Sequence, residues 1–322
     1  MQSSPEPHAE SHTGHGRTVA KVILLGEHSV VYGHPAVAVP LHSLHMNATV
    51  EPVEGPARLT CLDYDGPVDG APERLASVVK ALDVACAFAG RPTTGLHVST
   101  QADFPPERGL GSSAAAAGAV VRAVLDAADV AASPLELFEL TQEAERIAHG
   151  RPSGLDALTT AAPGPVYFRD GVGSTFEMDL AAWIVIADSG VTGRTRETVG
   201  DLRRRYDADP QGVGPLLDEL GEIADGAVAD LRAGDVDALG DRMDAAQHLL
   251  ADLGVSDDRL DALTAAARAA GAVGAKLTGG GRGGCVIALA RTAGDAAAIA
   301  GALTDAGASD TWIHAPHLQE EA

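Results

Sequence analysis

Lysine is the scarcest chemistry in this chain. Only Lys21, Lys80 and Lys276 occur among 23 basic residues, and arginine carries the rest of the positive charge. A chain with this bias retains lysine where a compact ammonium cannot be replaced by a planar guanidinium. Lys21 and Lys276 both fall in glycine-bearing segments, whereas Lys80 sits in an ordinary helical pattern. Aromatic residues make up 3%, so a core must be built mainly from Ala, Val and Leu. Three cysteines, Cys61, Cys86 and Cys285, are odd in number and lack metal-ligand spacing, which points to a reduced cytoplasmic protein rather than a disulfide framework. No apolar run is long enough to span a bilayer. The net charge of −22 argues against nucleic-acid and anionic-membrane partners, although a local site can still be positive. Residues 1–17 lack the apolar core of a secretory leader and are expected to form a disordered tail.

What is present is glycine in three dense, polar segments. Phe104-Pro105-Pro106-Glu107-Arg108-Gly109-Leu110-Gly111-Ser112-Ser113 leads directly into the alanine run 114–117. Such a turn aims backbone N–H groups at one point before a helix N-terminus, where the macrodipole also favours an anion. Gly109 and Gly111 permit positive φ and close approach of backbone to ligand. A serine hydroxyl beside phosphate oxygens can complete the shell of Mg²⁺. Nucleotide phosphate is therefore the first expectation, and a Ser-capped alanine helix is the plainer one.

The second segment runs from Lys21 to Gly33, with a lysine inside an apolar strand, Val19 to Leu25, and Gly26-Glu27-His28 after it. A buried lysine requires an anionic partner. The third is Lys276-Leu277-Thr278-Gly279-Gly280-Gly281-Arg282-Gly283-Gly284-Cys285. It contains Gly-x-Gly-x-x-Gly, yet the apolar run Val286–Leu289 that follows reads as a strand, not the helix that dinucleotide binding requires. A further stretch, Glu143 to Asp156, holds the Glu145 carboxylate near a helix end, where the dipole disfavours it and a metal would offset the penalty. Asp156 follows a Pro-Ser-Gly turn as either a helix cap or a catalytic carboxylate.

Elsewhere, helical spacing marks 73–90, 112–130 and much of 195–270, with a last helix over 294–305. Ser133-Pro134-Leu135-Glu136 is a helix start with a capping box. Strands are expected at 36–39, 45–51, 95–100, 166–168, 183–187, 275–277, 285–290 and 311–313. The irregular order favours an α+β class in two lobes over a regular βαβ array. The expected domains are 18–165 and 166–322.

In order, spacing and residue detail, these segments resemble the GHMP small-molecule kinases over nearly the whole chain after residue 17. The detail at 21–33, at 149–156 and at Gly193-Arg194-Thr195-Arg196 is most similar to the branch that phosphorylates mevalonate. The resemblance implies a two-lobed fold with mixed and antiparallel sheets and the active site between the lobes. It implies ATP-dependent phosphorylation of the 5-hydroxyl of mevalonate, for isoprenoid precursor synthesis, with Mg²⁺ as cofactor. Pro106, Arg108, Gly109, Leu110, Gly111, Ser112 and Ser113 would hold ATP, with Ser113 and Glu145 on the metal. Asp156 and Lys21 would be catalytic and paired. Lys21, Glu27, His28, Asp156, Thr195, Gly279, Gly280 and Gly281 would lie at the acceptor. A homodimer is a family-level expectation. Phosphomevalonate, homoserine or a sugar are the alternative acceptors, and a non-catalytic ligand-binding relative is the reading from another class. Two departures stand out: Val19-Ala20 replace the Pro-Gly usual before the lysine, and Glu107-Arg108 replace smaller residues.

Overall fold

A computed structural model describes residues 12–150 and 152–316. The chain order is strands β1 (Gly14–Leu25), β2 (Ala36–Pro52), β3 (Arg58–Cys61) and β4 (Tyr64–Pro67), then helix α1 (Ala76–Phe88) and β5 (Leu96–Ala102). Helices α2 (Ser112–Asp126), α3 (Pro134–His149) and α4 (Leu155–Thr159) follow. Strands β6 (Val166–Arg169), β7 (Val172–Thr175) and β8 (Trp183–Asp188) precede four helices: α5 (Thr195–Ala208), α6 (Pro210–Ala233), α7 (Val236–Asp252) and α8 (Asp258–Ala269). The chain closes with β9 (Gly274–Thr278), β10 (Cys285–Ala290), α9 (Ala293–Asp305) and β11 (Asp310–His314). Two units form, one from Met1–Thr18, Met46–Ala102 and Ala116–Gly150, the other from Val19–His45, Asp103–Ala115 and Arg151–Ala322.

In the first unit, the end of β2 pairs antiparallel with β5, from Met46 opposite Ala102 to Pro52 opposite Leu96. Strand β3 runs parallel to β5 and antiparallel to β4. Helices α1 and α3 pack together. The capping box forms as expected: Ser133 Oγ accepts from the Glu136 N–H, and Glu136 Oε2 accepts from the Ser133 N–H at 2.7 Å. The tail expectation needs correction at its end. Residues 14–17 are strand, and β1 begins at Gly14 rather than Val19. The reason is contact with α2: a Cβ at Gly16 would lie 2.0 Å from the Ala119 carbonyl oxygen, so only glycine lets the strand approach the helix there. Residues 12 and 13 carry no regular secondary structure, and residues 1–11 of the expected tail lie outside the described residues.

In the second unit, Ala36–Ala38 of β2 pair with Phe168–Val166 of β6. Ile23, Ala36, Leu155, Val166 and Phe168 form an apolar cluster beneath the start of α4. A separate antiparallel sheet has the order β11-β8-β10-β9. Ile287 on β10 lies between Ile186 of β8 and Lys276 of β9. Every residue of β9 and β10 is buried, Lys276 included. Helix α7 packs on β9 and α9 on β8. No helix among the described residues is long and apolar enough to cross a membrane.

Candidate active site

The first glycine segment, within the second unit, is a shaped loop and not a plain helix cap. Gly109 and Gly111 have φ of 82° and 74°, and Glu107 also adopts a positive φ of 59°. The Glu107 N–H donates to Ser112 Oγ at 3.2 Å, closing the loop on the first residue of α2. Leu110 is fully buried and its carbonyl accepts from the Lys21 N–H at 3.0 Å, which plugs the loop onto β1. Ser112 and Ser113 open α2, and the Ala115 N–H donates to the Gly111 carbonyl at 2.9 Å, tying the glycine turn to the first turn of the helix. The loop thus has the form of an anion cradle. Arg108 is committed elsewhere: its Nε donates to Asp188 Oδ2 and one terminal N–H to Thr192 Oγ1, both at 2.9 Å. Its charge is already paired with a buried carboxylate, so it anchors the loop. Pro106 is exposed at the loop's entrance.

Lys21 and Asp156 meet. Lys21 Nζ lies 2.8 Å from Asp156 Oδ1, with the lysine side chain 3% and the aspartate 43% exposed. Asp156 is not the cap of α4. Gly154, at φ 99°, is the N-cap of α4 and no side chain caps it, so Asp156 sits inside the first turn with its carboxylate turned to Lys21. Buried Leu155 and the αL glycine set that direction. The same lysine stem touches the glycine loop: a Cβ at Gly111 would fall 2.9 Å from Lys21 Cγ and 3.0 Å from Cε. Gly111→Ala is therefore expected to displace Lys21 and lower kcat by about 10²-fold, since small misplacements at a reacting centre have effects of that size. An unchanged kcat in a folded variant would contradict this packing.

The turn after β1 and the third glycine segment are fastened together. Thr278 Oγ1 donates to the Ile23 carbonyl and accepts from its N–H, each at 3.0 Å. His28, at φ 63°, places Nε2 3.2 Å from the Gly280 carbonyl oxygen. Lys276 Nζ donates to Glu27 Oε1 and, at 2.6 Å, to the Leu277 carbonyl, with both ionisable side chains fully buried. A Cβ at Gly279 would lie 2.8 Å from Gly109 Cα, and one at Gly280 would lie 2.1 Å from Thr195 Oγ1. The third segment is therefore glycine-rich because the first glycine loop, Thr195 and Val255 crowd it; a Cβ at Gly281 would fall 2.1 Å from the Val255 carbonyl oxygen. Thr195 is the exposed first residue of α5.

Lys276 was absent from the expected site residues, although its scarcity and its motif both marked it. Burial lowers its pKa and raises that of Glu27, while their mutual attraction opposes both shifts. Burial also lowers the His28 pKa from 6.5 to about 4, the Gly280 hydrogen bond opposing it. His28 is thus neutral in the fold at pH 7, while the unfolded chain takes up its proton below pH 6.5. Stability is expected to fall as pH drops from 6.5 towards 4, with His28 accounting for roughly 2–3 kcal/mol. Urea titrations at pH 7 and pH 4.5 check this: His28→Gln should shrink the difference between the two, and an equal difference would contradict it.

Glu145, in the first unit, is buried and accepts from Ser77 Oγ at 2.6 Å. Among the described residues, no group of three or more His, Cys, Asp or Glu side chains is placed to hold a metal.

A glycine loop at a helix start, a lysine–aspartate pair packed against it and a second glycine loop lie together in the second unit, the arrangement on which a phosphotransferase reading rests. The family models agree: GHMP kinases N terminal domain matches residues 76–164, and GHMP kinases C terminal matches 227–309. The chain belongs to the GHMP kinase family. Mevalonate kinase of Pyrococcus abyssi is 34% identical over 297 residues, covering 84% of this chain and 87% of the relative. The Pyrococcus horikoshii mevalonate kinase is 35% identical with the same coverage. Among solved structures, L. major mevalonate kinase in complex with R-mevalonate superposes with TM-score 0.83 at 25% identity, covering 97% of this chain and 98% of that one. Staphylococcus aureus mevalonate kinase gives 0.74 at 30% identity, covering 94% and 99%.

Proposed function

We infer that this protein is an ATP-dependent mevalonate kinase, transferring the γ-phosphoryl group of ATP to the 5-hydroxyl of mevalonate. The observation that carries the chemistry is the Lys21–Asp156 pair at 2.8 Å, packed directly on the glycine loop. Phosphoryl transfer needs positioning, neutralisation of spreading charge and an acceptor for the hydroxyl proton. The loop from Gly109 to Ser113 supplies backbone donors for the phosphates. Asp156 takes the proton of the attacking hydroxyl. That hydroxyl is far too weak an acid to ionise beforehand, so the proton moves as the new P–O bond forms. Lys21 fixes the carboxylate and offsets negative charge as it develops.

The residues present suit Mg²⁺. Mg²⁺ takes oxygen ligands, keeps water and is shared with substrate phosphates, so one or two protein oxygens suffice. Ser113 and Glu145 are the ligands that the family resemblance implies, and within the first unit the Ser77 hydrogen bond fixes the Glu145 carboxylate. When bound, the ion neutralises phosphate charge. Thr195 and the turn at Glu27 and His28 form the acceptor side of the site, and the protein works in the cytoplasm.

Release of ADP with mevalonate tests the reading: turnover should require added Mg²⁺ and stop with a chelator. Glu145→Gln should raise the Mg²⁺ concentration for half-maximal activity about tenfold or more. An unchanged titration would remove Glu145 from the metal.

A further inference from the structure

We propose that Lys276 is a positioning residue for the acceptor: its ammonium pins the Glu27 carboxylate and so locks the Gly26-Glu27-His28 turn against the third glycine loop. The inference rests on the kinase reading above and adds a residue from outside the reacting groups. Lys276 cannot touch substrate from the middle of a fully buried strand, and its ammonium donates to Glu27 Oε1 and to the Leu277 carbonyl.

The case begins with what the pair does not do. A buried ion pair is a poor source of stability, because desolvating both charges offsets their attraction. This one is poorer than most, since Glu27 Oε2 is buried with no hydrogen-bond partner among the described residues. His28 Nδ1, one residue on, is buried in the same condition. The fold therefore keeps an unfavourable arrangement in a chain that uses lysine at only three positions.

The compensation is placement. Glu27 and His28 lie on one turn, and His28 is held at φ 63°, a conformation that side-chain residues rarely adopt. Three fastenings tie this region to β9 and its loop: the paired Thr278–Ile23 bonds, His28 to Gly280, and Lys276 to Glu27. Only the last is made by a side-chain charge on each partner, and it sits at the residue before His28. Gly280, the carbonyl partner of His28, is itself crowded against Thr195. Lys276 thus secures a chain of contacts that runs from Glu27 through His28 and Gly280 to Thr195. An arginine fork would not fit the fully buried slot that the ammonium fills.

The test compares the wild type with Lys276→Met and with the double variant E27Q/K276M, measuring Tm, kcat and KM for each substrate. Lys276→Met strands the Glu27 charge in the interior and should lower Tm. The double variant removes that charge and should recover most of the lost Tm. In both, KM for mevalonate should rise about tenfold or more while KM for ATP stays within about twofold. Recovery of Tm without recovery of acceptor KM is the signature of positioning. A double variant with wild-type KM for the acceptor would overturn the proposal and leave the pair a purely structural one. An equal rise in both KM values would also overturn it. A wild type that phosphorylates a different acceptor would refute the substrate reading, and the same split would then be read with that acceptor.

Discussion

Asp156→Asn should lower kcat by about 10³-fold while leaving ATP affinity within about twofold. Asparagine keeps the shape of the side chain, and its carbonyl oxygen can still accept from Lys21 Nζ, which lies 2.8 Å from Oδ1 in the native protein. What it loses is the ability to take a proton. The effect should therefore fall on kcat and spare the fold and the nucleotide site. Asp156→Ala should add a loss of stability, because Lys21 is 3% exposed and would be left without its carboxylate. Calorimetric titration of ATP beside steady-state kinetics separates these effects. Full turnover by the asparagine variant would exclude proton acceptance by Asp156.

Lys21→Met should lower kcat by about 10²–10³-fold. Methionine preserves much of the stem that packs on Gly111 and leaves the Lys21–Leu110 backbone bond in place, so the glycine loop should keep its form. The missing ammonium no longer orients Asp156 or offsets charge. Asp156 is 43% exposed and stays solvated, so Tm should change little. Arginine should not rescue the variant, because a planar fork cannot occupy the space above Gly111. Combining Lys21→Met with Asp156→Asn should cost far less than the product of the single losses, since the two side chains act as a unit. Multiplicative losses would show that they act independently.

Much of this site was legible from residue types alone. The glycine loop, the capping box at Ser133 and the strand–loop–strand around Gly279–Gly284 all carry local chemistry that does not depend on distant partners. The Lys21–Asp156 contact was legible only through family resemblance, because it joins positions 135 residues apart, on β1 and α4. Other features resisted for identifiable reasons. Strands β3, β4 and β7 are four residues each and carry few apolar side chains, so periodicity could not reveal them. The start of β1 was hidden because Gly14 and Gly16 stand where an apolar alternation would be. The partner of Glu27 was also out of reach, because its Oε1 pairs with Lys276 across 249 residues of sequence. That pairing is set by tertiary packing, and lysine scarcity was the one local sign of it.

The acceptor decides the function most directly. Purified protein should be given ATP, Mg²⁺ and, in parallel, mevalonate, phosphomevalonate, homoserine or galactose, with ADP release and the phosphorylated product followed together. Turnover confined to mevalonate, with phosphate on the 5-hydroxyl, is the expected result. Turnover of another acceptor in preference to mevalonate, or no turnover of any while ATP still binds, would contradict it.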